Sequence, residues 1–468
     1  MVDVGVTRRG GKRGLAGALA EAEAAGVLPL TSTCNISCVF CSNRWNPPGL
    51  RVFRLPPRSL AEVEAALAGM SHLDEVVIGE SASRVLEGEP LTHPDFGTIL
   101  RVARRLVPQA VIKVTTNGLL LDAGLAGLLA DLGPVEVTLS LNTASPEAYR
   151  RLHGIEADPA RAPGLLRRAG IPFHGSVVAV PALAGRKDLT ETVRRLEAWG
   201  ALSCRVFVPG HTSLTPRETA VLLPGRAEVA ALVEEARGST RLPLTLDPPE
   251  ITDLAARLAG VIPGSPADRA GLRAGDVLTD VEGTSPVCRV DAFRRSREAL
   301  ARRGRCRLEV AGRGPVVLSA GPGRPVRTGL VMDCDVDPAD AGAVRRVAAA
   351  EGSGRVLILT STLASGPLRL ALASPGFGPQ PACRVTPVPS TTFGGSIGCA
   401  GLLTVADVER TLAGLLATGQ GPAAGEVVLL PRIAFDRSGV DLVGRSPAEL
   451  RALLPPGTRL VVPGLLRV

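Results

Sequence analysis

Between Leu28 and about Leu246, short apolar runs alternate with amphipathic stretches of helix length. Strand-like runs fall at 28–33, 74–79, 110–118, 135–142, 175–182 and 204–209. Helix-period runs fall at 59–70, 94–106, 122–132, 145–153 and 187–200. Apolar runs separated by helices indicate βαβ units on a parallel sheet. Six such strands predict an α/β fold, a partial (βα)6 barrel, with ligands at the C-terminal ends of the strands.

At 248–251 "PPEI" breaks the alternation, and "AGVIPGSPADRAGLRAGDVLTDVEGTSP" opens a smaller module that runs to about Pro322. The Gly- and Pro-rich "GRGPVVLSAGPGRP" separates it from a last segment of mixed type. There "VLILT", "EVVLL" and "RLVVPG" read as strands, and 337–350, 404–417 and 446–453 as helices. No internal repeat is evident. The pattern divides the chain into an N-terminal extension (1–29), an α/β core (30–247), a small mostly-β module (250–322) and a C-terminal mixed α/β region (326–468). A length of 468 residues suits about three domains.

No apolar run approaches the ~18–20 residues that span a bilayer. "MVDVGVTRRGGKRG" lacks the apolar stretch of a secretory signal. Nine scattered cysteines do not form a disulfide framework, so a reducing cytoplasm is expected. The net charge is +8, yet only Lys12, Lys113 and Lys187 are lysines; the remaining basic residues are arginine. That bias fits a GC-rich coding sequence. RNA is the anionic partner such a charge would suit, but no arginine cluster is interleaved with aromatics, which are 3% of the chain.

Three of the nine cysteines, Cys34, Cys38 and Cys41, crowd into "TCNISCVFCSNRW" with spacing C-x3-C-x2-C, where the first strand ends. Structural zinc usually needs two C-x2-C knuckles, and here there is one. A redox pair needs two thiols. Three thiolates on one loop suit three corners of a [4Fe–4S] cube, leaving one iron open.

With an aromatic, Phe40, before the last cysteine, the motif resembles the signature of radical S-adenosylmethionine (radical SAM) enzymes, whose core is a partial TIM-like barrel. The resemblance implies that Cys34, Cys38 and Cys41 hold a [4Fe–4S] cluster whose open iron is chelated by S-adenosylmethionine. Reduction of the cluster then releases a 5′-deoxyadenosyl radical. The family's Gly-Gly-Glu-Pro motif, which holds the amino group of S-adenosylmethionine, is matched by "EGEPLTHPDF", giving Gly88, Glu89 and Pro90. Glu87 replaces the first glycine, and "ESASRVL" before it is longer than the family's usual loop. The third strand ends in "VTTNG" and the fourth in "TLSLNTASPEAYRRLHG". By resemblance Thr115, Asn117, Ser140 and Asn142 lie near the S-adenosylmethionine, and Phe40 with them. "SPEAY" also reads as a helix start, with Ser145 as N-cap and Pro at the first turn. A reducing partner such as flavodoxin or ferredoxin is implied.

"SPADRAGLRAGD" resembles a bacterial PDZ domain, which captures a peptide carboxylate and adds the peptide to a sheet edge. By position the carboxylate loop would be Leu258–Val261. "TTFGGSIGCAGLLTVADV" and "EVVLLPRIAFDRSGVDLVG" resemble a C-terminal domain of unknown function found in clostridial and cyanobacterial PDZ–radical SAM proteins. Cys334, Cys383 and Cys399 lie in that region without a C-x2-C pair and read as small buried residues rather than as a second cluster. His72, His93, His153, His174 and His211 are scattered and read as surface or packing residues.

The expected function is hydrogen-atom abstraction from an unidentified substrate, a peptide or a small molecule. The alternative is a PDZ-type peptide-binding scaffold with a structural or redox-sensing cluster.

Overall fold

The computed structural model describes residues 12–82, 84–321 and 327–463. Six parallel strands form one sheet: β1 (Glu75–Ile78), β2 (Val111–Thr116), β3 (Val135–Ser140), β4 (Phe173–Val178), β5 (Cys204–Phe207) and β6 (Leu244–Asp247). Their spatial order is their chain order, so the sheet winds in one direction, as a partial barrel does. Helix α1 (Lys12–Ala24) precedes the sheet. Helices α2 (Leu60–Gly69), α3 (Phe96–Leu106), α4 (Ala123–Asp131), α5 (Pro146–His153), α6 (Arg161–Arg168), α7 (Asp188–Trp199) and α8 (Arg226–Arg237) cover it. One core runs from Leu28 to Leu246 and includes Ile78, Ile112, Val137, Phe173 and Val206.

The helix starts follow the sequence closely. Ser59 and Glu62 form a capping box on α2, and Ser145 caps α5 ahead of Pro146. The strand roster differs by one. The run 28–33 lies beside β1 only at its start, where Leu28 N–H donates to Val77 O at 2.8 Å. Pro29 has no N–H to donate, and beyond it the backbone turns to the 87–89 loop. Leu28 and Leu30 are fully buried, so the apolar run is core without being sheet. The sixth strand is instead β6, a short "LTLD" between Pro243 and Pro248 that the apolar pattern hides.

The next region is an antiparallel sheet with β7 (Ala256–Arg257), β8 (Val277–Val281), β9 (Arg305–Val310) and β10 (Gly314–Ser319) in the order β10-β9-β8-β7. Helix α9 (Arg289–Arg303) packs on it through Ala292, Ala299 and Leu300. Gly260–Val261 pairs antiparallel with Leu330–Val331, so the stretch expected to bind a carboxylate has the chain's own strand beside it.

The C-terminal region has α10 (Pro338–Ala350), β11 (Arg355–Ser361), α11 (Thr362–Ala373), β12 (Ala382–Val388), α12 (Val405–Ala417), β13 (Val427–Leu429) and β14 (Arg459–Val461). The strands form a parallel sheet in the order β12-β11-β13-β14. The stretch 446–453 is a 3-10 helix, Pro447–Leu453, rather than an α-helix.

Candidate active site

The loop carrying the three cysteines is held on two sides. On one, it is zipped to the Gly-Glu-Pro run. Gly88 N–H donates to Thr31 O at 2.7 Å and Glu89 N–H to Thr33 O at 2.8 Å. Gly88 cannot carry a side chain, because a Cβ would lie 2.0 Å from Thr33 O. Glu87 completes the zipper with its carboxylate, which accepts from Leu30 N–H at 3.0 Å and Thr31 N–H at 3.4 Å. Glu87 thus substitutes for the strand neighbour that residues 30 and 31 lack. On the other side, Val39 N–H donates to Leu152 O at 3.0 Å and Ser37 N–H to His153 O at 3.4 Å, so the last carbonyls of α5 receive the loop.

A cavity of about 200 Å³ opens between this loop and the C-terminal ends of β2, β3 and β4. Cys34, Cys38, Phe40, Gly88, Glu89, Thr115, Asn117, Ser140 and Asn142 all line it. Cys41 and Pro90 stand just outside. Pro90 packs under Gly79, where a Cβ would lie 2.9 Å from Pro90 Cγ and 2.1 Å from Thr115 O. The sequence reading did not single out Ile36, Gly79, Thr116, Ser176 and Val178, which also face the cavity. Ile36 lies within the cysteine loop and the others at or near strand ends; of the five, Thr116, which donates to Glu89, sits inside "VTTNG" and was the one the sequence could have offered. A second cavity of about 370 Å³ adjoins it behind Asn35 and Asn117, whose side chains are bonded at 2.8 Å.

Glu89 is buried and held from three directions. It accepts from Thr116 Oγ1–H at 2.6 Å, Asn117 N–H at 2.7 Å and Leu91 N–H at 3.2 Å. Burial pushes its carboxyl up, and these donors oppose that. A carboxylate with about four acceptor sites still has one for a cationic donor in the cavity.

The three thiols lie near enough to repel one another as thiolates. Burial raises Cys38 to about 12, and the charges of Cys41 and Cys34 add to the rise. Burial also raises Cys34. Among the described residues no three or more His, Cys, Asp and Glu side chains close on a single metal ion. A cube of four irons presents its corners to separate thiolates, so it does not require such convergence. Three thiols on one loop, half-buried at Cys38 and Cys41 and exposed at Cys34, beside a cavity lined by polar side chains, are the donor set that an iron–sulfur cluster fits.

His153 is the residue that sequence reasoning missed. It is buried, and its Nδ1 lies 3.1 Å from Cys38 Sγ. Burial lowers it to about 4, so the ring is neutral at ordinary pH. Its neighbours are Phe40, edge-on at 5.9 Å, and Tyr149 at 4.3 Å between ring centroids. The one signal available was its place in "RRLHG", at the end of the helix that receives the cysteine loop.

Residues 28–196 match the family model of the radical SAM superfamily, and residues 257–302 match that of the PDZ domain. The chain carries a radical SAM domain. Its relatives include GTP 3′,8-cyclase of Chlorobaculum tepidum, 32% identical over 26% of this chain and 34% of that protein. They also include PqqA peptide cyclase of Gluconobacter oxydans, 27% identical over 41% of this chain and 55% of that protein. The chain therefore spans only about a third to a half of these relatives. Among solved structures, that of Streptococcus suis SuiB bound to S-adenosylmethionine is 17% identical, covers 50% of this chain and 54% of SuiB, and has a TM-score of 0.36. Radical SAM family members bind a [4Fe–4S] cluster and S-adenosylmethionine. Among the described residues no helix is long and apolar enough to cross a membrane.

Proposed function

We propose that this chain is a radical SAM enzyme that abstracts hydrogen from a peptide or small-molecule substrate. The observation that carries the reading is the single cavity into which two of the motif cysteines, Glu89 and the ends of three strands all point. Cys34, Cys38 and Cys41 would hold the [4Fe–4S] cluster. When bound, cluster and S-adenosylmethionine together supply the electron transfer that yields the 5′-deoxyadenosyl radical and methionine. The chain's own residues bind, orient and exclude water. Glu89 accepts from the ammonium of S-adenosylmethionine, with Gly88 and Pro90 shaping its loop. Thr115, Asn117, Ser140 and Asn142 offer hydroxyl and amide groups to its polar atoms, and Phe40 offers an apolar wall.

A peptide-binding scaffold with a structural cluster would need no such cavity. The relatives' names include a nucleotide cyclase and a peptide cyclase, so they leave both substrate classes open. The PDZ domain favours a peptide partner, and flavodoxin or ferredoxin is the class of reductant required. We also propose a division into 1–29, 30–247, 250–322 and 326–468, supported by an apolar core centred in each of the last three, with Leu330 joining the second core and a smaller cluster of Cys288, Val336, Ala341, Ala371 and Phe377 bridging the second and third. The last of these is proposed to be the domain of unknown function that its motifs resemble. The absence of a spanning helix among the described residues accords with a cytoplasmic protein. Cys334 and Cys399 are exposed and Cys383 half-buried, so they are not the buried residues the sequence suggested, and they are read as unligated thiols.

The test is anaerobic reconstitution, addition of S-adenosylmethionine and dithionite, and chromatography for 5′-deoxyadenosine. The expected outcome is 5′-deoxyadenosine from the native chain and none from Cys38→Ala. An intact cluster that neither binds nor cleaves S-adenosylmethionine would overturn the proposal.

A further inference from the structure

The amide of Asn142 has its orientation fixed by the sheet. Val178 N–H, at the end of β4, donates to Asn142 Oδ1 at 2.7 Å. The opposite side of the amide, Nδ2, faces His153 Nε2 at 3.4 Å. An amide nitrogen can only donate, so Nε2 of the ring must accept and carries no proton. A neutral imidazole then has its proton on Nδ1, and Nδ1 lies 3.1 Å from Cys38 Sγ. The tautomer is thus dictated from the sheet through two side chains to one sulfur.

We propose that His153 is a positioning residue that donates its Nδ1–H to the sulfur of Cys38 and thereby tunes the cluster held there, with Asn142 selecting the tautomer. The inference rests on the reading of Cys34, Cys38 and Cys41 as cluster ligands. Hydrogen bonds to ligand sulfurs are among the determinants of iron–sulfur reduction potentials, because they draw electron density from the thiolate and favour the reduced state. His153 is well placed for the role. It is buried, its ring is packed between Phe40 and Tyr149, and its backbone carbonyl already receives Ser37 N–H from the same loop. Asn142 lines the cavity, but both sides of its amide are engaged by protein. Its contribution to a bound molecule is therefore secondary to its hold on His153.

The experiment uses the full chain, reconstituted anaerobically. Iron and sulfide content report whether the cluster forms, and so test the parent reading by themselves. The inference is read separately, by pulsed electron–nuclear double resonance on the reduced cluster of protein labelled with 15N-histidine. A histidine nitrogen coupled to the cluster is expected in the native chain. In His153→Leu the coupling vanishes and the midpoint potential moves to more negative values, by an amount of order a tenfold change in the reduction equilibrium, ~59 mV for one electron. His153→Asn, which puts an amide N–H close to the Nδ1 position, restores part of the shift. A formed cluster with no histidine coupling overturns the inference and leaves the parent reading standing, as does an unchanged potential in His153→Leu. A native chain that builds no cluster overturns both. The native-chain coupling is decisive even if the Leu variant fails to fold.

Discussion

Glu89 and Glu87 are separated by one residue and are both buried, yet their partners differ in kind. Glu89 faces the cavity and takes three donors from the β2 end and its own loop. Glu89→Gln replaces one acceptor oxygen by a donor that must face Asn117 N–H or Thr116 Oγ1–H. With a charge-assisted bond contributing ~1.5–3 kcal/mol, the affinity for S-adenosylmethionine should fall roughly 10- to 100-fold. Isothermal titration of the reconstituted chain measures it, and unchanged affinity would remove Glu89 from the site. Glu87 faces backbone instead. Burial raises its carboxyl to about 8, against the pull of two backbone donors and the charge of Arg58. The folded value lies above the unfolded one, so its contribution to stability is complete below about pH 4.5 and declines as pH rises to about 8. The slope is ~1.4 kcal/mol per pH unit. Asp188, raised to about 6, and His153 and His174, lowered from 6.5 to about 4, act mostly below about pH 7. Between about pH 7 and 8, urea midpoints of the native chain should therefore fall more steeply than those of Glu87→Gln, which keeps the burial-raised carboxyl of Glu89. Parallel midpoints in that window would mean that Glu87 remains ionised in the fold.

At the scale of elements, α5 does more than cross from β3 to β4. Its last carbonyls receive Ser37 and Val39, and Leu152 sits fully buried beneath that junction. Leu152→Ala should cost ~2–5 kcal/mol as a buried cavity. It should also loosen the cysteine loop, since the carbonyl of Leu152 holds Val39. Hydrogen exchange at Val39 reads the second effect, and protection equal to that of the native chain would separate helix from loop. The sequence made much of this legible. The N-caps at Ser59 and Ser145, the apolar period of the helices and the strand ends bearing Thr115 and Ser140 all lie where local chemistry dictates. What it did not disclose depended on partners far along the chain. The apolar run 28–33 is not a sheet strand, because Glu87, 57 positions beyond Leu30, takes its backbone donors. His153 looked incidental because Cys38, its partner, lies 115 positions away.

At the scale of the whole molecule, the C-terminal region bears on the segment that follows the cysteines. Phe393 is buried with Leu50 and Leu442 in a small cluster of its own, and Arg51 N–H donates to Leu442 O at 2.7 Å. Arg84, in the "ESASRVL" stretch before the Gly-Glu-Pro run, donates to the carbonyls of Val440 and Asp441 at 2.8 and 2.9 Å and pairs with Asp436 at 3.4 Å. The added length of that stretch is thus occupied by an anchor to the C-terminal region. A third tie runs through the loop after β5. Ser213 N–H donates to Phe393 O at 2.8 Å, and Thr212 Oγ1–H donates to Trp45 O at 2.5 Å, a few residues past Cys41. These contacts brace the segment that follows the cysteines. Phe393→Ala should remove ~3–5 kcal/mol from that brace, while leaving the core between Leu28 and Leu246 untouched, since Phe393 is not part of it. The expected result is faster hydrogen exchange across residues 42–52 and faster loss of iron to a chelator, with little change in the exchange of β2 and β3. If exchange at 42–52 matches the native chain, the C-terminal region is an appended domain with no hold on the site. If β2 and β3 loosen as well, the two regions fold as one unit.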